Sequence, residues 1–377
     1  MPKYIFIVDP KGHILKSDSV FNRHLEYARG LNQASQGQIN LGVLRPTLWR
    51  FAEKFHENLL VIDFPILKFL FPKVVGSISK FTEEKIPSLL IAGDPWLGGI
   101  LAVLVSRKLQ VRTNIQIQFH GDFGNPAWIR ESLKNRIKFK VAKLVIKEAN
   151  HVRCVSDAQE ILISKNFKLD TTKMLVAPVP MMLWKQTLNG HKTFSTIPRV
   201  GLVGRIHHDR GLQTFVDLVE KLVAENREFS VHIVGSGPQR TWLEQKCKES
   251  FPNIHIEFFG EVESLNMKMC WENLDLLISC APTESYGRAA REALFFGVPV
   301  LATPSSGINS LTEANQLGYL EYFESYFESQ HLAEAFDRLL KKTISLDFRK
   351  KIASNDEENF NNIIKEWIVL ANFISKN

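Results

Sequence analysis

Cysteine is scarce in this sequence, and its scarcity excludes two classes of protein. The 377-residue chain has four cysteines, none in a C-x-x-C pair, at Cys154, Cys247, Cys270 and Cys280. Disulfide frameworks and structural zinc sites need several cysteines at short spacings. We therefore predict isolated thiols in a reducing compartment, because disulfides persist mainly in oxidising ones.

Long apolar runs are also lacking. The first apolar run, Tyr4–Val8, is too short for the core of a secretory signal peptide. No window of the chain approaches the roughly 18 consecutive apolar residues that indicate a membrane-spanning helix. The sequence thus predicts a cytoplasmic protein, which can still lie peripherally on the inner face of the membrane.

Charge of either sign is moderate. The chain has 47 Lys and Arg against 40 Asp and Glu, a formal net charge of +7. This excess fits an enzyme of anionic substrates, a membrane-surface protein or a nucleic-acid binder, and does not choose among them. The length exceeds the roughly 250–300 residues over which one hydrophobic core usually extends, so two domains are predicted.

Strand-like and helix-like segments alternate, which predicts the α/β class with two doubly wound parallel sheets. The N-terminal half has predicted strands at Tyr4–Val8, Ile39–Leu44, Leu59–Ile62, Leu89–Ala92, Asn114–Phe119, His151–Val155 and Met174–Ala177. A turn-rich stretch follows, and strands resume at Arg199–Val203, Ser230–Val234, Ile254–Phe258, Leu274–Ser279 and Pro299–Thr303. We predict domains over 1–180 and 199–350, a linker over 181–198, and helices over 351–377 that pack back toward the N-terminal domain.

The first strand-end motif follows Arg199–Val203. Gly204 permits close approach of a ligand to the backbone, and the next helix offers free N–H groups to an anion. Arg205 and Arg210 add guanidinium donors suited to phosphate. An ordinary strand–turn–helix with surface arginines explains this segment equally well when it is taken alone.

The second motif is Gly235-Ser236-Gly237, which also follows a strand and opens a helix. Its glycines permit a tight turn against a flat ligand such as a base. Many strand-to-helix turns carry two glycines, so a purely structural turn is the stronger interpretation of this motif by itself.

The third motif runs from Ala281 to Val300 and is the most informative. Glu284 lies in the loop after a strand, and Glu292 follows eight residues later on the next helix. The amides of Ser285, Tyr286, Gly287 and Arg288 are then at a helix N-terminus, which favours a diphosphate. The two carboxylates can accept hydrogen bonds from sugar and ribose hydroxyls. A solvated glutamate and a helix-stabilising one are the alternative.

In combination these segments resemble the retaining glycosyltransferases of family 4, within glycosyltransferase group 1, which have the GT-B fold. That family typically shows a Gly-Arg turn followed by a basic residue, a Gly-x-Gly turn, a Glu-x7-Glu element and a Gly-x-Pro-Val strand. All four occur in order across Val200–Thr303, with Arg210 where Lys is usual. The resemblance implies two Rossmann-like domains that face each other across a cleft.

The resemblance also implies roles for these residues. Arg205 and Arg210 would bind the donor diphosphate, Glu284 would contact the donor sugar, and Glu292 the ribose. The remaining donor-binding positions in this half would be Gly204, Gly235, Gly237, Val262 near the base, Ser285, Tyr286, Gly287 and Arg288. The donor would be a UDP- or GDP-sugar, with no metal and no cofactor, because cationic and backbone groups stabilise the leaving diphosphate.

The N-terminal half resembles the family more loosely. His120-Gly121-Asp122 matches its His-Gly turn, so His120 is predicted to be catalytic and to lie near the reacting sugar. A structural histidine at a strand end is the alternative. Gly12 alone corresponds to the family's Gly-Gly loop and is predicted to bind the donor. Pro178-Val179-Pro180 replaces the usual Asn-Gly element, so this half departs from the family's pattern on the acceptor side.

Residues 125–147 predict a basic helix with two apolar stripes. The stripe predicted to face the core consists of Ile129, Leu133, Ile137, Val141 and Leu144. The stripe predicted to face outward, among basic residues, consists of Trp128, Phe139 and Ile146. Exposed aromatics beside basic residues suit an anionic membrane surface, although the second stripe could instead pack under a loop. No nucleic-acid partner is expected, because the chain carries no recognised nucleic-acid motif.

The sequence therefore predicts a retaining, hexosyltransferase-type enzyme. It would move a sugar from a nucleoside-diphosphate sugar to a hydroxyl of a glycan or lipid-linked acceptor, as in polysaccharide biosynthesis. The alternatives are a nucleotide-sugar epimerase or glycogen-type synthase of the same fold, and a non-catalytic nucleotide-sugar binder.

Overall fold

Parallel β-sheet forms the centre of each of the two units into which the chain divides. The computed structural model describes residues 3–47, 52–65, 87–109, 113–121, 123–188, 190, 192, 194–263, 266–324 and 328–373. One unit comprises Met1–Pro180 with Glu358–Asn377, and the other comprises Met181–Glu357. We call them the N-terminal and C-terminal units.

In its described residues the N-terminal unit has a mixed eight-stranded sheet. Its strands are Lys3–Val8 (β1), Ile39–Thr47 (β2), Ala52–His56 (β3), Leu59–Pro65 (β4), Pro87–Ala92 (β5), Asn114–Gln118 (β6), His151–Cys154 (β7) and Met174–Val176 (β8). The strand order is β3-β4-β2-β1-β5-β6-β7-β8. The apolar run of β1 is buried on both faces, and Ile5 pairs with Leu41 of β2 and with Leu89 of β5. The sheet therefore has its centre where the sequence is most continuously apolar.

Strand β3 is absent from the sequence prediction. It pairs antiparallel with β4 at the edge of the sheet, and its middle residues, Glu53, Lys54 and Phe55, are exposed. A short edge strand with charged side chains does not produce the apolar signal of a buried strand. The other described strands of this sheet are parallel, as predicted.

Helices connect many of the strands of the N-terminal unit. They are Asp18–Ala34 (α1), Leu97–Leu109 (α2), Pro126–Glu131 (α3), Leu133–Val145 (α4) and Asp157–Phe167 (α5), with short 3-10 turns at Ile14–Lys16, Ile146–Glu148 and Thr171–Lys173. The predicted single helix over 125–147 is therefore two helices. Ser132 separates them, because its hydroxyl accepts a hydrogen bond from the Asn135 amide at 3.1 Å and so caps α4.

The predicted orientation of the two apolar stripes in this segment is wrong. Leu133, Ile137 and Leu144, expected in the core, are 73%, 54% and 68% exposed. The stripe expected outside is packed: Ile146 is buried, and the ring of Trp128 lies 4.8 Å from that of Phe123. Helical periodicity separates the two faces of α4 but does not say which one meets the core, and here Trp128, Phe139 and Ile146 pack in the core.

In its described residues the C-terminal unit has a six-stranded sheet in which every pair is parallel. Its strands are Arg199–Val203 (β9), Ser230–Val234 (β10), Ile256–Gly260 (β11), Leu276–Ser279 (β12), Val300–Ala302 (β13) and Leu320–Tyr322 (β14). Their order is β11-β10-β9-β12-β13-β14. The order reverses direction between β9 and β12, and ligands of such sheets bind beyond the carboxyl ends of the strands at that point.

The C-terminal unit has helices of 4 to 13 residues between these strands and after the last of them. They are Leu212–Ala224 (α6), Arg240–Ser250 (α7), Met267–Glu272 (α8), Arg288–Phe295 (α9), Ser306–Asn309 (α10), Thr312–Gln316 (α11) and Ser329–Leu340 (α12), with 3-10 turns at Leu183–Lys185 and His208–Arg210. The predicted start of one helix at Ser264 lies outside the described residues. Amphipathic α6 buries Phe215, Val219 and Leu222 against the sheet.

One helix, Leu346–Asn372 (α13), contributes to both units. Its first part belongs to the C-terminal unit, where Asp356 accepts hydrogen bonds from the amides of Met181 and Leu183, each at 2.8 Å. Its later part belongs to the N-terminal unit, where the Trp367 indole donates to Gln116 Oε1 at 3.0 Å. The end of the predicted tail, 374–377, lies outside the described residues.

Candidate functional site

The turns after β9 and β10 lock together at the carboxyl edge of the C-terminal sheet. The Gly204 amide donates to the Val234 carbonyl and the Ile206 amide to the Ser236 carbonyl, both at 2.9 Å. A Cβ on Gly235, whose φ is +137°, would lie 1.9 Å from the Gly204 oxygen. Glycine is therefore needed at Gly235 to let the two turns approach, whatever they bind.

Gly237 and Gly211 have the same steric requirement. A Cβ on Gly237 would lie 2.2 Å from the Ile206 oxygen, and one on Gly211 would lie 1.9 Å from the Cys280 oxygen. Gly211, at φ +66°, is the single residue between the turn that carries Arg210 and the start of α6. The close contact at Cys280 holds the basic turn beside the loop that follows β12.

The basic turn after β9 contains polar atoms that the described protein leaves unsatisfied. His207 Nδ1, Asp209 Oδ1 and Arg210 Nε are buried and have no hydrogen-bond partner within the described residues. His207 Nδ1 lies 3.0 Å from Asp209 Oδ1, although not in hydrogen-bonding geometry. Buried polar atoms are normally paired, so these three atoms are available to a polar partner.

Glu284 and Arg210 form an ion pair at the centre of this edge. Arg210 Nη1 lies 2.8 Å from Glu284 Oε2, and the other carboxylate oxygen accepts the Gly287 amide at 3.3 Å. Both side chains are partly exposed, at 32% and 23%. The pair thus connects the turn after β9 to the N-terminus of α9 while remaining accessible to a ligand.

Arg205 is the most exposed cation of this group. Its side chain is 65% exposed, and Arg205 Nη2 lies 3.5 Å from Asp209 Oδ2. An exposed ion pair of this length is weak, at about 0–1 kcal/mol. The guanidinium is therefore available to an anion at little cost.

Arg291, which the sequence analysis does not single out, clamps the loop before α9. Its guanidinium lies 4.2 Å from the Tyr286 ring centroid, Nε donates to the Tyr286 carbonyl at 3.1 Å, and Nη2 donates to Ser310 Oγ at 2.8 Å. Burial lowers the pKa of Arg291 and raises the pKa of Tyr286. A basic residue one position before Glu292 is the only sequence signal for this role.

Gly307 is a second residue that sequence reasoning misses. Its amide donates to the Glu284 carbonyl at 2.6 Å, and a Cβ there would lie 2.5 Å from the Tyr286 nitrogen. Ser306 Oγ donates to the same carbonyl at 3.2 Å. The small residues after β13 therefore support the Glu284 loop from behind, and their position after a strand is the signal that could have identified them.

The remaining predicted residues of this unit are less closely grouped. Glu292 lies on the second turn of α9, with Oε1 3.4 Å from Arg288 Nη2. Ser285, Tyr286 and Gly287 form the loop into α9, as predicted, with Gly287 at φ +74°. Val262 is half-buried, two residues beyond the end of β11.

Gly12 and His120 belong to the N-terminal unit. His120 lines a cavity of about 360 Å³ beyond the carboxyl ends of β1, β5 and β6. The residue is open to the cavity, and its pKa is lowered, first by desolvation and then by the charges of Arg153 and Arg23. Gly12, at φ +64°, lies between two lining residues, Lys11 and His13. Asp122, beside the predicted His-Gly turn, lies outside the described residues.

The basic turn and the Glu284 loop lie within a segment that matches a known family. Residues 188–359 match the family described as Glycosyl transferases group 1. The chain carries a group 1 glycosyltransferase domain. This domain contains the Arg210–Glu284 pair, the interlocking glycine turns and the loop into α9, so the predicted resemblance to this group is confirmed.

A curated relative supports the same assignment over a short segment. The chain is 32% identical over 111 residues to a 2-deoxystreptamine glucosyltransferase of Streptomyces kanamyceticus. This match covers 29% of the chain and 29% of the relative, so it spans less than a third of that protein's length. The enzyme class predicted for the group 1 domain, a glycosyltransferase, agrees with this relative.

Solved structures extend the likeness over the whole fold. A crystal structure of TarM is similar with a TM-score of 0.69 at 12% identity, covering 99% of each chain. Anabaena Alr3699/HepE, solved in complex with UDP-glucose, is similar with a TM-score of 0.63 at 18% identity, covering 97% of this chain and 99% of that one. The predicted GT-B class, with two parallel-sheet α/β domains, is confirmed.

Membrane spans and metal clusters are both missing from the described part of the chain. None of the helices there is long and apolar enough to cross a membrane. Within the same described ranges, no group of three or more His, Cys, Asp or Glu side chains is placed to hold a metal ion.

Proposed function

We propose that the protein transfers a sugar, with retention at the anomeric carbon, from a nucleoside-diphosphate sugar to an acceptor hydroxyl. The observation that carries this proposal is the Arg210–Glu284 ion pair, 2.8 Å long, beside the N-terminus of α9. It brings a cation for a diphosphate and an acceptor for sugar hydroxyls to one edge of the sheet. The UDP-glucose bound by Anabaena HepE supports a UDP-sugar ahead of a GDP-sugar.

The chemistry depends on stabilising the leaving diphosphate. Breaking the bond between the anomeric carbon and the phosphate oxygen places negative charge on the nucleoside diphosphate. Glu284 holds Arg210 beside the amides that open α9, and preorganised donors of this kind stabilise developing charge without reorganising. Arg205 would add a further, more exposed cation. We therefore expect neither a metal nor a cofactor to take part.

The two glutamates would orient the donor. As carboxylates they only accept hydrogen bonds, so hydroxyl groups are suitable partners. We assign Glu284 to the transferred sugar and Glu292 to the ribose. Neither is assigned a nucleophilic role. The acceptor oxygen would attack the anomeric carbon on the face from which the diphosphate departs, which gives retention, and its proton would pass to the departing phosphate oxygen.

Donor binding provides the first test. Thermal unfolding of the full chain is measured with UDP-, GDP- and ADP-sugars, since a ligand that binds the folded state raises the unfolding temperature with its concentration relative to Kd. We expect one nucleotide series to stabilise the protein, and Arg205→Gln to weaken its binding by roughly tenfold, about 1.4 kcal/mol, through loss of a charge-assisted contact.

Arg338→Gln is the matched control for Arg205→Gln. Arg338 belongs to the same unit, is 55% exposed and has its own ion pair, with Glu321. Equal loss of donor affinity in both variants would contradict the assignment of Arg205. Released sugar epimer would identify an epimerase, and tight donor binding without transfer to any acceptor would identify a non-catalytic binder.

We further propose that α4 places the protein on the inner face of an anionic membrane, where a lipid-linked glycan acceptor would be found. At about 100° per residue, the exposed Leu133, Ile137 and Leu144 fall within about 40° of one another. Exposed basic residues flank this apolar strip on α4 and on the turn that follows it: Lys134, Arg136, Lys140, Lys143 and Lys147. Apolar side chains flanked by cations match the interface of an anionic bilayer.

Vesicle sedimentation tests the α4 surface. We expect the full chain to bind phosphatidylglycerol vesicles, to bind less in high salt, and to bind phosphatidylcholine vesicles weakly. Full burial of one aliphatic side chain contributes about 1.5–3 kcal/mol, so even partial insertion of three predicts that the triple variant L133S/I137S/L144S binds at least about tenfold more weakly. Ile161→Ser, which alters an equally exposed aliphatic side chain on α5, should bind normally. Unchanged binding of the triple variant would rule out this surface.

A further inference from the structure

The cavity of the N-terminal unit has a basic lining that its own carboxylates do not balance. Among its described lining residues are three permanent cations, Lys11, Arg23 and Arg153, and two carboxylates, Asp9 and Asp94. With a volume of about 360 Å³, it is large enough for one small polar molecule or one terminal group.

Both carboxylates are occupied by backbone amides. Asp9 accepts from the amides of His13 at 3.0 Å and Ile14 at 2.9 Å. Asp94 accepts from the amides of Trp96 at 3.0 Å and Gly98 at 3.1 Å. These hydrogen bonds fix the loops after β1 and β5. The two carboxylates keep their negative charges, so the three cations of the lining exceed them by one.

Arg153 is a buried cation in this wall. The residue is 2% exposed, and its side chain donates to the carbonyls of Ala177 at 2.8 Å and Pro178 at 2.9 Å. The partners given for its guanidinium within the described residues are neutral, namely these two carbonyls and Tyr27. Burial lowers the pKa of Arg153, and its interaction with Tyr27 acts in the opposite direction. A buried guanidinium held only by neutral groups gains most from the arrival of an anion.

Two of the histidines that line the cavity, His24 and His120, add neutral hydrogen-bonding groups beside its cations. His24 Nδ1 donates to the Val20 carbonyl at 2.6 Å, which leaves Nε2 as an acceptor in the neutral ring. Burial lowers the pKa of His24 to about 4, so the ring is neutral near pH 7. The pKa of His120 is lowered as well, by desolvation and by Arg153 and Arg23. Neutral imidazoles beside guanidiniums suit a ligand that has both a hydroxyl and a negative charge.

We propose that this cavity binds the acceptor, and that the acceptor group is a small polyol carrying a phosphate or a carboxylate. Its anionic group would lie against Arg153, Arg23 and Lys11, and a hydroxyl would face His24 and His120. The assignment of this ligand as the acceptor follows from the proposed glycosyl transfer, whereas the affinity of the cavity for an anionic polyol does not depend on it.

Calorimetric titration of the full chain tests the proposal with three matched sugars: glucose 6-phosphate, glucuronate and glucose. We expect glucose 6-phosphate or glucuronate, or both, to bind roughly tenfold or more tightly than glucose, a difference of about 1.4 kcal/mol. Whichever of the two charged sugars binds more tightly identifies the anionic group as a phosphate or a carboxylate. Lys11→Gln and Arg23→Gln should each weaken binding of the charged sugar severalfold and leave glucose unaffected. Lys165→Gln, an exposed lysine on α5, is the control.

A second variant locates the bound sugar. The double variant R205Q/R210Q alters the C-terminal unit and should retain the affinity for the charged sugar. Loss of binding in this double variant, or equal affinity for glucose and both charged sugars, would overturn the proposal. Lys11 is exposed, so Lys11→Gln tests the cavity without removing any buried contact. Failure of every nucleotide-sugar to stabilise the protein would instead remove the glycosyl-transfer function and leave this affinity intact.

Discussion

Replacing Glu284 with alanine is expected to lower transfer from the donor sugar by roughly 100-fold or more, with folding preserved. The carboxylate holds Arg210 at 2.8 Å and the Gly287 amide at 3.3 Å, so its loss frees two groups that we assign to the diphosphate. It also removes the proposed acceptor for a sugar hydroxyl. Losing one preorganised contact to a developing charge typically costs about 10²–10³ in rate. Sugar release and transfer by the purified protein would be measured at saturating donor.

Two further variants make this result specific. Glu284→Gln retains the shape of the side chain but loses its charge, so it should have activity between that of Glu284→Ala and the native protein. Glu313→Gln alters another paired glutamate of the same unit, 2.7 Å from Lys351, and should have native activity. Native turnover in Glu284→Ala would show that the ion pair is structural and would remove the main support for the proposed function.

Gly235→Ala is expected to destabilise the C-terminal unit by about 3 kcal/mol or more, or to prevent its folding. The φ of +137° alone imposes strain of about 1–3 kcal/mol on a residue with a Cβ. The added Cβ would also lie 1.9 Å from the Gly204 oxygen, and hydrogen bonds between the two turns prevent them from separating. Since 1 kcal/mol shifts the unfolding temperature by roughly 2–4 °C, the C-terminal unit of the variant should unfold at a temperature at least about 6 °C lower.

Gly37→Ala separates the effect of the clash from that of the backbone. Gly37 has a φ of +78°, and no described atom beyond its chain neighbours lies within 4 Å of the point that an alanine Cβ would occupy. An alanine at this position has backbone strain but no steric overlap, so it should lower the free energy of unfolding by about 1–2 kcal/mol. If Gly235→Ala were no worse than Gly37→Ala, the turns after β9 and β10 would be looser than their contacts indicate, and a role for Gly235 in binding a base would gain weight.

The sequence predicts the sheets better than the surfaces. Strands such as β1 and β12 are apolar runs that are buried on both faces, and such runs indicate the interior of a parallel sheet. Edge strand β3 has no such signal, since its charged residues are exposed. The stripes of α4 are reversed in the prediction because periodicity gives the angle between residues and not the direction of the core.

The candidate site is predictable where chemistry requires a particular residue type at a strand end. Arg210 and Glu284 stand out in separate motifs of the sequence, and they are in contact. Arg291 and Gly307 escape prediction, because each acts through the backbone of the Glu284 loop and neither belongs to a recognisable spacing. The cavity in the N-terminal unit is equally hard to predict, since Lys11, Arg23 and Arg153 come from three separate segments.

Helix α13 has a consequence for the order in which the protein is built. Tyr27 stacks on Phe360 at 5.5 Å and contacts Trp367 at 5.1 Å, and the Asn114 side chain donates to the Leu370 carbonyl at 2.7 Å. The core around the first helix is therefore closed by residues that the ribosome adds only after the entire Met181–Glu357 unit. During synthesis the N-terminal unit therefore cannot complete its core until α13 has been made, and Tyr27 stays uncovered until then. The C-terminal unit, although it is synthesised later, can complete its folding first.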